Sequence, residues 1–287
     1  MSKSCQTKEF VVLLKFTKMH GLGNDFVVVD AVSRKVFFNK QQIEKLSDRN
    51  WGIGFDQLLV VEPPTDPDMD FRYRIYNSDG SEVEHCGNGA RCFAKFVLDR
   101  ELTNKRIINV ETKRGAIQLR VLDGGLVTVD MGAPSFEPQD LPFTAEPCDV
   151  LYSIMAEDTE YLITPVSVGN PHAVIKVDQL IDDEVAKVGA LIECHERFPR
   201  KVNVGFMQVV NPDEINLRVY ERGVGETQAC GTGACAAVVA GIKQGWLSPK
   251  VTAHLRGGDL HIEWQGEGSP ILMTGPAEKV FEGQIYL

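Results

Sequence analysis

The chain has 287 residues, 43% of them apolar, which suffices for a large core and for two domains of roughly 130 residues each. Its 40 acidic and 30 basic side chains leave a net charge of −10, which argues against nucleic acid or an anionic membrane as a general partner. The apolar run near the start, Phe10–Leu14, is far short of the roughly 20 residues of a membrane span, and it lacks the length and cleavage site of a secretory signal. The seven cysteines are an odd number without a dense framework, which fits a reducing cytoplasm better than a secreted disulfide scaffold.

In chain order, residues 1–9 are polar and read as a loose tail. Val11–Phe16 and Phe26–Asp30 read as strands around the turn Gly21-Leu22-Gly23. This Gly-x-Gly is not a dinucleotide fingerprint: the third glycine is missing, and Val27-Val28-Val29 continues as strand where that fingerprint needs a helix. Lys40–Asp48 is expected as a short helix, Gly52–Gln57 as a glycine turn, and Leu58–Glu62 and Phe71–Tyr76 as strands. A helix is expected over Gly89–Leu98, then β structure from Ile107 to Met131. Pro134–Pro147, rich in proline and acid, reads as the connection between halves. Beyond it the order repeats. Strands are expected at Leu162–Val168, Ala173–Val177, Phe206–Val210 and Ile215–Tyr220, and helices at Asp183–Leu191 and Gly233–Lys243, with strands to the C-terminus. The last helix is apolar almost all round, so other elements should wrap it.

The repetition is also literal. Arg74–Ala90 (RIYNSDGSEVEHCGNGA), moved forward 144 positions, falls without a gap on Arg218–Ala234 (RVYERGVGETQACGTGA). Seven of 17 positions are identical, including Cys86/Cys230, Gly87/Gly231 and Gly89/Gly233. Upstream, Gly23-Asn24-Asp25-Phe26 is echoed by Gly169-Asn170-Pro171-His172. A half-length duplication with matched cysteines points to two similar domains facing each other. The expected architecture is α+β, each half a curved, mostly antiparallel sheet around a central helix. The expected boundaries are 1–132 for the half carrying Cys86 and 133–275 for the half carrying Cys230, with 276–287 returning to the first.

Cys86 and Cys230 each precede a Gly-x-Gly-Ala helix start. Free amides and the helix dipole there favour negative charge, which leads to an expected thiol pKa lowered toward neutrality. The amides of Gly87, Asn88, Gly231 and Thr232 suit a carboxylate. Two inert structural cysteines are the alternative, but the duplicated setting disfavours it. A zinc site built from Cys86, Cys92, Cys230 and Cys235 is disfavoured by the Cys-x5-Cys and Cys-x4-Cys gaps. His172, after Gly-Asn-Pro, and Glu221, heading the loop before Cys230, are placed to assist a thiol as base partners. Arg222 offers a fork for a carboxylate. Cys5, Cys148 and Cys194, and His20, His85, His195, His254 and His261, carry no repeat signal and read as ordinary.

The segments HGLGNDF (20–26), GIGFDQ (52–57), YNSDGSEVEHCGNGAR (76–91), GNPH (169–172), NVGF (203–206) and ERGVGETQACGTGA (221–234) together resemble the diaminopimelate epimerase family, over about residues 14–287. The resemblance implies a cofactor-independent, metal-free epimerase with its active site between two pseudo-symmetric domains. The family interconverts LL- and meso-2,6-diaminoheptanedioate on the way to lysine and peptidoglycan. By position, Cys86 and Cys230 would be the acid/base pair, tuned by His172 and Glu221. Asn24, Gln57, Asn77, Gly87, Asn88, Asn170, Asn203, Glu221, Arg222, Gly231 and Thr232 would bind substrate. A cytoplasmic homodimer is implied, with Phe281 supporting the dimer contact. Residues 1–13 extend beyond the usual start, Asn50 stands where His is expected, and Phe55 where a smaller residue is common.

The chemistry agrees with the resemblance. Inverting a stereocentre needs a proton taken from one face and another delivered to the opposite face, which a thiolate and a thiol can do. Two helix N-termini aimed at the α-carboxylate would stabilise the carbanion without a cofactor. A proline racemase or hydroxyproline epimerase is the main alternative, but its substrate lacks the distal zwitterion that Arg222 and the asparagines would hold. A non-catalytic or thiol-independent relative, including isomerases of the same architecture, is a further alternative, against which both cysteines count.

Overall fold

The computed structural model describes residues 13–83, 86–145 and 150–287. Cys5, His85 and Cys148 lie outside the described residues. The first half runs β1 (Leu13–Gly21), β2 (Asn24–Asp30), α1 (Lys40–Ser47), β3 (Gln57–Glu62), β4 (Phe71–Asn77), β5 (Glu82–Val83), α2 (Gly87–Asp99), β6 (Ile107–Thr112), β7 (Gly115–Val121) and β8 (Val127–Asp130). The second runs β9 (Tyr152–Ala156), β10 (Thr159–Ser167), β11 (Pro171–Lys176), α3 (Asp182–Glu193), β12 (Asn203–Asn211), β13 (Glu214–Glu221), β14 (Gly225–Glu226), α4 (Gly231–Lys243), β15 (Lys250–Leu255), β16 (Gly258–Glu263) and β17 (Leu272–Gly275). The closing strand β18 (Glu278–Tyr286) pairs antiparallel with β1, and β17 pairs antiparallel with β8. These two pairings stitch the halves together.

The fold is α+β and mostly antiparallel, and its exceptions repeat. In the first half β2 runs parallel to β3 and β4 to β6; in the second, β11 runs parallel to β12 and β13 to β15. Phe26 sits opposite Gln57, and His172 opposite Asn203, in equivalent registers. Arg74 forks onto Glu82 at 2.9 and 3.1 Å, and Arg218 onto Glu226 at 2.6 and 2.7 Å. Both clamps span the short hairpin leading to a cysteine. The identical residues of the repeat are therefore structural devices as well as chemical ones.

One core unites the two central helices. Phe93, Ala94 and Val97 of α2 and Ala236, Ala237 and Val239 of α4 belong to the same buried cluster, together with Met273. Phe93 meets Phe71 and Tyr73 edge-on, at 6.1 and 5.2 Å between ring centres. Burial of such a ring stabilises by about 1.5–3 kcal/mol. Two outer cores lie on the other faces, one under α1 with Ile43 and Leu46, the other under α3 with Val188 and Ile192. Phe55 is buried in the first of these, alongside Leu58. The segment expected as a connection is not a free loop. Within it, Leu141 and Phe143 enter the second outer core, where Phe143 stacks on Phe198 at 4.7 Å.

Both central helices begin two residues earlier than the sequence pattern suggests, at Gly87 and Gly231. The reason is close packing rather than a break. A Cβ on Gly87 would lie 2.6 Å from Met273 Cε, and one on Gly231 would lie 3.1 Å from Met273 Sδ. The glycines that read as a loop are the first helical turn, thinned so that both helix N-termini meet at one methionine.

Candidate active site

The earlier helix starts make Cys86 the N-cap of α2 and Cys230 the N-cap of α4. Both have extended backbone, with φ and ψ of −144° and 114° for Cys86 and −112° and 106° for Cys230. The Gly89 amide donates to Cys86 Sγ at 3.5 Å, filling the capping role that Ser or Asp usually takes. Cys230 Sγ lies 3.5 Å from the Thr232 hydroxyl. Cys86 is partly exposed, whereas Cys230 is buried.

Polar side chains of the first half converge on Cys86. The thiol donates to Asn24 Oδ1 at 3.8 Å. The Asn24 amide nitrogen donates to Asp56 Oδ2 at 3.0 Å, which turns its oxygen toward the sulfur. Arg49 holds Asp25 through both terminal nitrogens, at 3.0 and 2.8 Å, and Asp56 at 2.7 Å. Asn88 donates to Asn24 Oδ1 at 3.3 Å and, across the seam, to the Ala229 carbonyl at 3.2 Å. Gln57 donates to Asn77 Oδ1 at 2.9 Å from the adjacent strand. The bulk of Phe55 points into the outer core and leaves this pair intact.

The second half supplies matching groups. His172 Nε2 lies 3.0 Å from Asn170 Oδ1, and Asn170 Nδ2 donates to Thr232 Oγ1 at 3.3 Å. These roles place the histidine proton on Nε2. Its Nδ1 is buried with no partner among the described residues. Asn203 donates to the Pro171 carbonyl at 3.0 Å and accepts from the Arg222 amide at 2.9 Å. The Arg222 side chain is exposed, bonds only the Arg200 carbonyl at 3.2 Å, and has no carboxylate partner among the described residues. Thr227 donates to Glu221 Oε1 at 2.5 Å. Phe281 lies apart from this cluster, on β18, where its half-exposed ring meets Phe16 edge-on at 6.1 Å.

The electrostatics correct one expectation. The helix N-terminus does not bring the thiols toward neutrality. Burial pushes Cys86 up to about 11, against the Gly89 amide, and the Glu221 charge adds to the rise. Burial also drives Cys230 well above the ordinary thiol range, again with Glu221 adding to it. Removal of the sulfur from water outweighs the dipole. Glu221 is itself raised by burial, opposed by the bonds from Thr227 and Cys230. Burial, assisted by the Arg222 charge, lowers His172 to about 3, so its ring is neutral. Near neutral pH the ring is uncharged, with its Nε2 proton on Asn170 and its Nδ1 lone pair without a partner among the described residues.

Residues that the sequence reading passed over also border this cluster. Asp56 and Thr227 lie inside quoted motifs and had a signal there. Arg114 had none: its guanidinium donates to the Val168 carbonyl at 3.3 Å, 54 residues away, and covers Gly169. Of the histidines read as ordinary, His195 bonds the Met155 carbonyl and His254 pairs with Asp259.

A family model described as diaminopimelate epimerase matches residues 16–137 and 164–280. Among curated proteins, a diaminopimelate epimerase of Ectopseudomonas mendocina (strain ymp) is 56% identical, and one of Pseudomonas entomophila (strain L48) is 58% identical. Each match covers 96% of this chain and 100% of the relative. Among solved structures, a hydroxyproline epimerase from Agrobacterium vitis has a TM-score of 0.69 at 16% identity, over 96% of this chain and 93% of that one. A phenazine biosynthesis protein of the PhzF family from Bacillus anthracis has a TM-score of 0.67 at 16% identity, over 96% of this chain and 100% of that one. At that identity the likeness speaks for the fold alone.

Proposed function

The chain belongs to the diaminopimelate epimerase family, and from that premise we propose that it interconverts LL- and meso-2,6-diaminoheptanedioate through Cys86 and Cys230 as paired acid and base, without a cofactor. The observation that carries the mechanism is geometric: Cys86 and Cys230 each cap a central helix, the two first turns meet at Met273, and the Asn88 amide joins them by its bond to the Ala229 carbonyl. One thiolate takes the α-proton while the opposite thiol delivers its own, and the roles exchange in the reverse direction. The first-turn amides of α2 and α4 receive the α-carboxylate and stabilise the carbanion as charge develops. Asn24, Gln57, Asn77, Asn88, Asn170, Asn203, Glu221, Arg222 and Thr232 hold the two amino-acid ends. Arg222 meets a carboxylate through its unpaired fork. Neutral His172 offers its Nδ1 lone pair to an ammonium.

The proline-type alternative has support only from the shared fold, at 16% identity. It also leaves Arg222 without a ligand group. Incubation with LL-diaminopimelate, with no added cofactor or metal, and separation of the isomers tests the activity. Formation of the meso isomer is expected. Turnover of proline or hydroxyproline instead would favour the alternative.

A homodimer completes the reading. β18 pairs only with β1 among the described strands, and Val280, Phe281 and Tyr286 on it are exposed. Phe281→Asp should shift the sedimentation coefficient toward that of a monomer; an unchanged dimer would remove Phe281 from the contact. No helix among the described residues is long and apolar enough to cross a membrane. A reducing cytoplasm is the compartment that keeps a pair of catalytic thiols active.

A further inference from the structure

Arg91 is 0% exposed and is among the largest fully buried side chains of the protein. Its Nε donates to the Pro276 carbonyl at 3.0 Å, and one terminal nitrogen donates to Asn88 Oδ1 at 2.9 Å. The other terminal nitrogen meets the Gly87 carbonyl at 3.4 Å and Met273 Sδ at 3.8 Å. A Cβ on Gly21 or on Gly275 would come within 3.1 or 3.2 Å of the guanidinium, so backbone closes over it from two sides. The fork therefore ties α2 to the segment between β17 and β18.

Two consequences follow. The first is orientation. With its oxygen committed to Arg91, the Asn88 amide must turn its nitrogen to Asn24 Oδ1, beside Cys86, and to the Ala229 carbonyl, beside Cys230. The second is charge. A guanidinium stays protonated, and a buried charge without a counter-ion is strongly destabilising. No carboxylate pairs with Arg91 among the described residues. The ionisable groups whose charge bears on it are the thiols Cys92, Cys86 and Cys235. Cys92 and Cys235 are sealed in the core at 0% exposure, whereas Cys86 is partly exposed.

We propose that Arg91 is a positioning residue that fixes Asn88 between the two cysteines and supplies the buried positive charge against which the Cys86 thiolate forms. The inference rests on the reading of Cys86 as an acid/base group. Among the described residues, the other ionisable groups whose charge bears on Cys86 are Glu221 from β13, Tyr73 from β4 and Cys92 on α2. All three carry negative charge when ionised, so among these groups Arg91 is the cation that compensates. Its charge lowers the Cys86 thiol, against burial and Glu221.

The test reads thiolate formation separately from turnover. The protein is alkylated with iodoacetamide at pH 8, and the rate at Cys86 is taken by peptide mapping relative to exposed Cys194 as internal control. In Arg91→Met the Cys86/Cys194 ratio should fall at least about tenfold, one pKa unit. Arg91→Gln serves if the Met variant does not fold. Arg91→Lys keeps the charge without the fork, so its ratio should stay within about threefold of wild type while its kcat on diaminopimelate falls at least about tenfold. A folded neutral variant with the wild-type ratio, or a Lys variant with wild-type kcat, overturns the proposal. Loss of the family reading would appear separately, as a wild-type protein that does not turn over diaminopimelate.

Discussion

The side-chain amide of Asn88, in the first turn of the helix capped by Cys86, donates to the carbonyl of Ala229, the residue before Cys230, at 3.2 Å. The two cysteines thus sit at opposite ends of a three-residue polar bridge and not on independently mobile loops. Asn88→Asp is nearly isosteric but replaces the amide donor with an acceptor facing the Ala229 carbonyl and Asn24 Oδ1. The two lost bonds, about 1–3 kcal/mol, are offset in part by the ion pair that the new carboxylate makes with the buried Arg91 guanidinium, which lies 2.9 Å from Asn88 Oδ1. The variant should fold, and steady-state kinetics should show kcat reduced at least about tenfold. A folded variant with wild-type kcat would make the bridge irrelevant to catalysis.

Arg222 presents a planar fork that binds no carboxylate of the protein among the described residues. An ammonium cannot reproduce that fork. In Arg222→Lys, kcat/KM should fall roughly 10- to 100-fold, the scale of a charge-assisted hydrogen bond of 1.5–3 kcal/mol, with the circular dichroism spectrum unchanged. Kinetics equal to wild type would place Arg222 outside the site.

His172 gives the pH dependence of stability a definite sign. Its folded pKa of about 3 lies below the usual 6.5 because of burial and Arg222. Above 6.5 both folded and unfolded states are neutral and the group has no pH effect. As pH falls from 6.5 toward 3 the unfolded chain takes a proton that the folded protein refuses, so stability is lost. The first half carries Phe26 at the equivalent register, which suggests His172→Phe as the probe. Urea unfolding should show this variant losing up to about 2 kcal/mol less than wild type between pH 6.5 and 5. Equal losses in the two proteins would contradict a buried neutral His172.

Much of this site was legible before any coordinates. The 144-residue offset located both cysteines, the central helices that follow them to within two residues, and the equivalent strands, because a duplicated fold leaves identical residues where both halves need the same device. Arg74 and Arg218 show this, each forking the glutamate eight residues on. What the sequence did not reveal depends on burial and on distance along the chain. The helix dipole favours a thiolate locally, but burial of both sulfurs beside the central core outweighs it. Gly-x-Gly looked like a loop because its partner, Met273, lies far away in sequence. Arg114 reaches a carbonyl 54 residues away, with no motif to announce it.

The chain contains no P-loop, Rossmann turn or zinc spacing in its sequence, and the proposed chemistry asks only for thiols and amides. Activity should therefore survive dialysis, EDTA and removal of pyridoxal phosphate, assayed by isomer separation. Full loss in EDTA with recovery on adding zinc would overturn the thiol-only mechanism.

The two-cysteine mechanism is tested most directly by where deuterium appears in D2O. A single base would carry its proton to either face, so solvent label would enter both isomers. With Cys86 and Cys230 on opposite faces, the thiol that delivers a proton has already equilibrated with solvent, while the one that abstracts tends to return the proton it took. Starting from LL-diaminopimelate, mass spectrometry at early times should find deuterium at the α-carbon of the meso product and little in recovered substrate. The reverse reaction should show the same pattern, and Cys86→Ser and Cys230→Ser should each nearly abolish epimerisation with the fold intact. Equal early labelling of substrate and product in both directions, together with a Cys230→Ser variant that still epimerises well, would contradict the account.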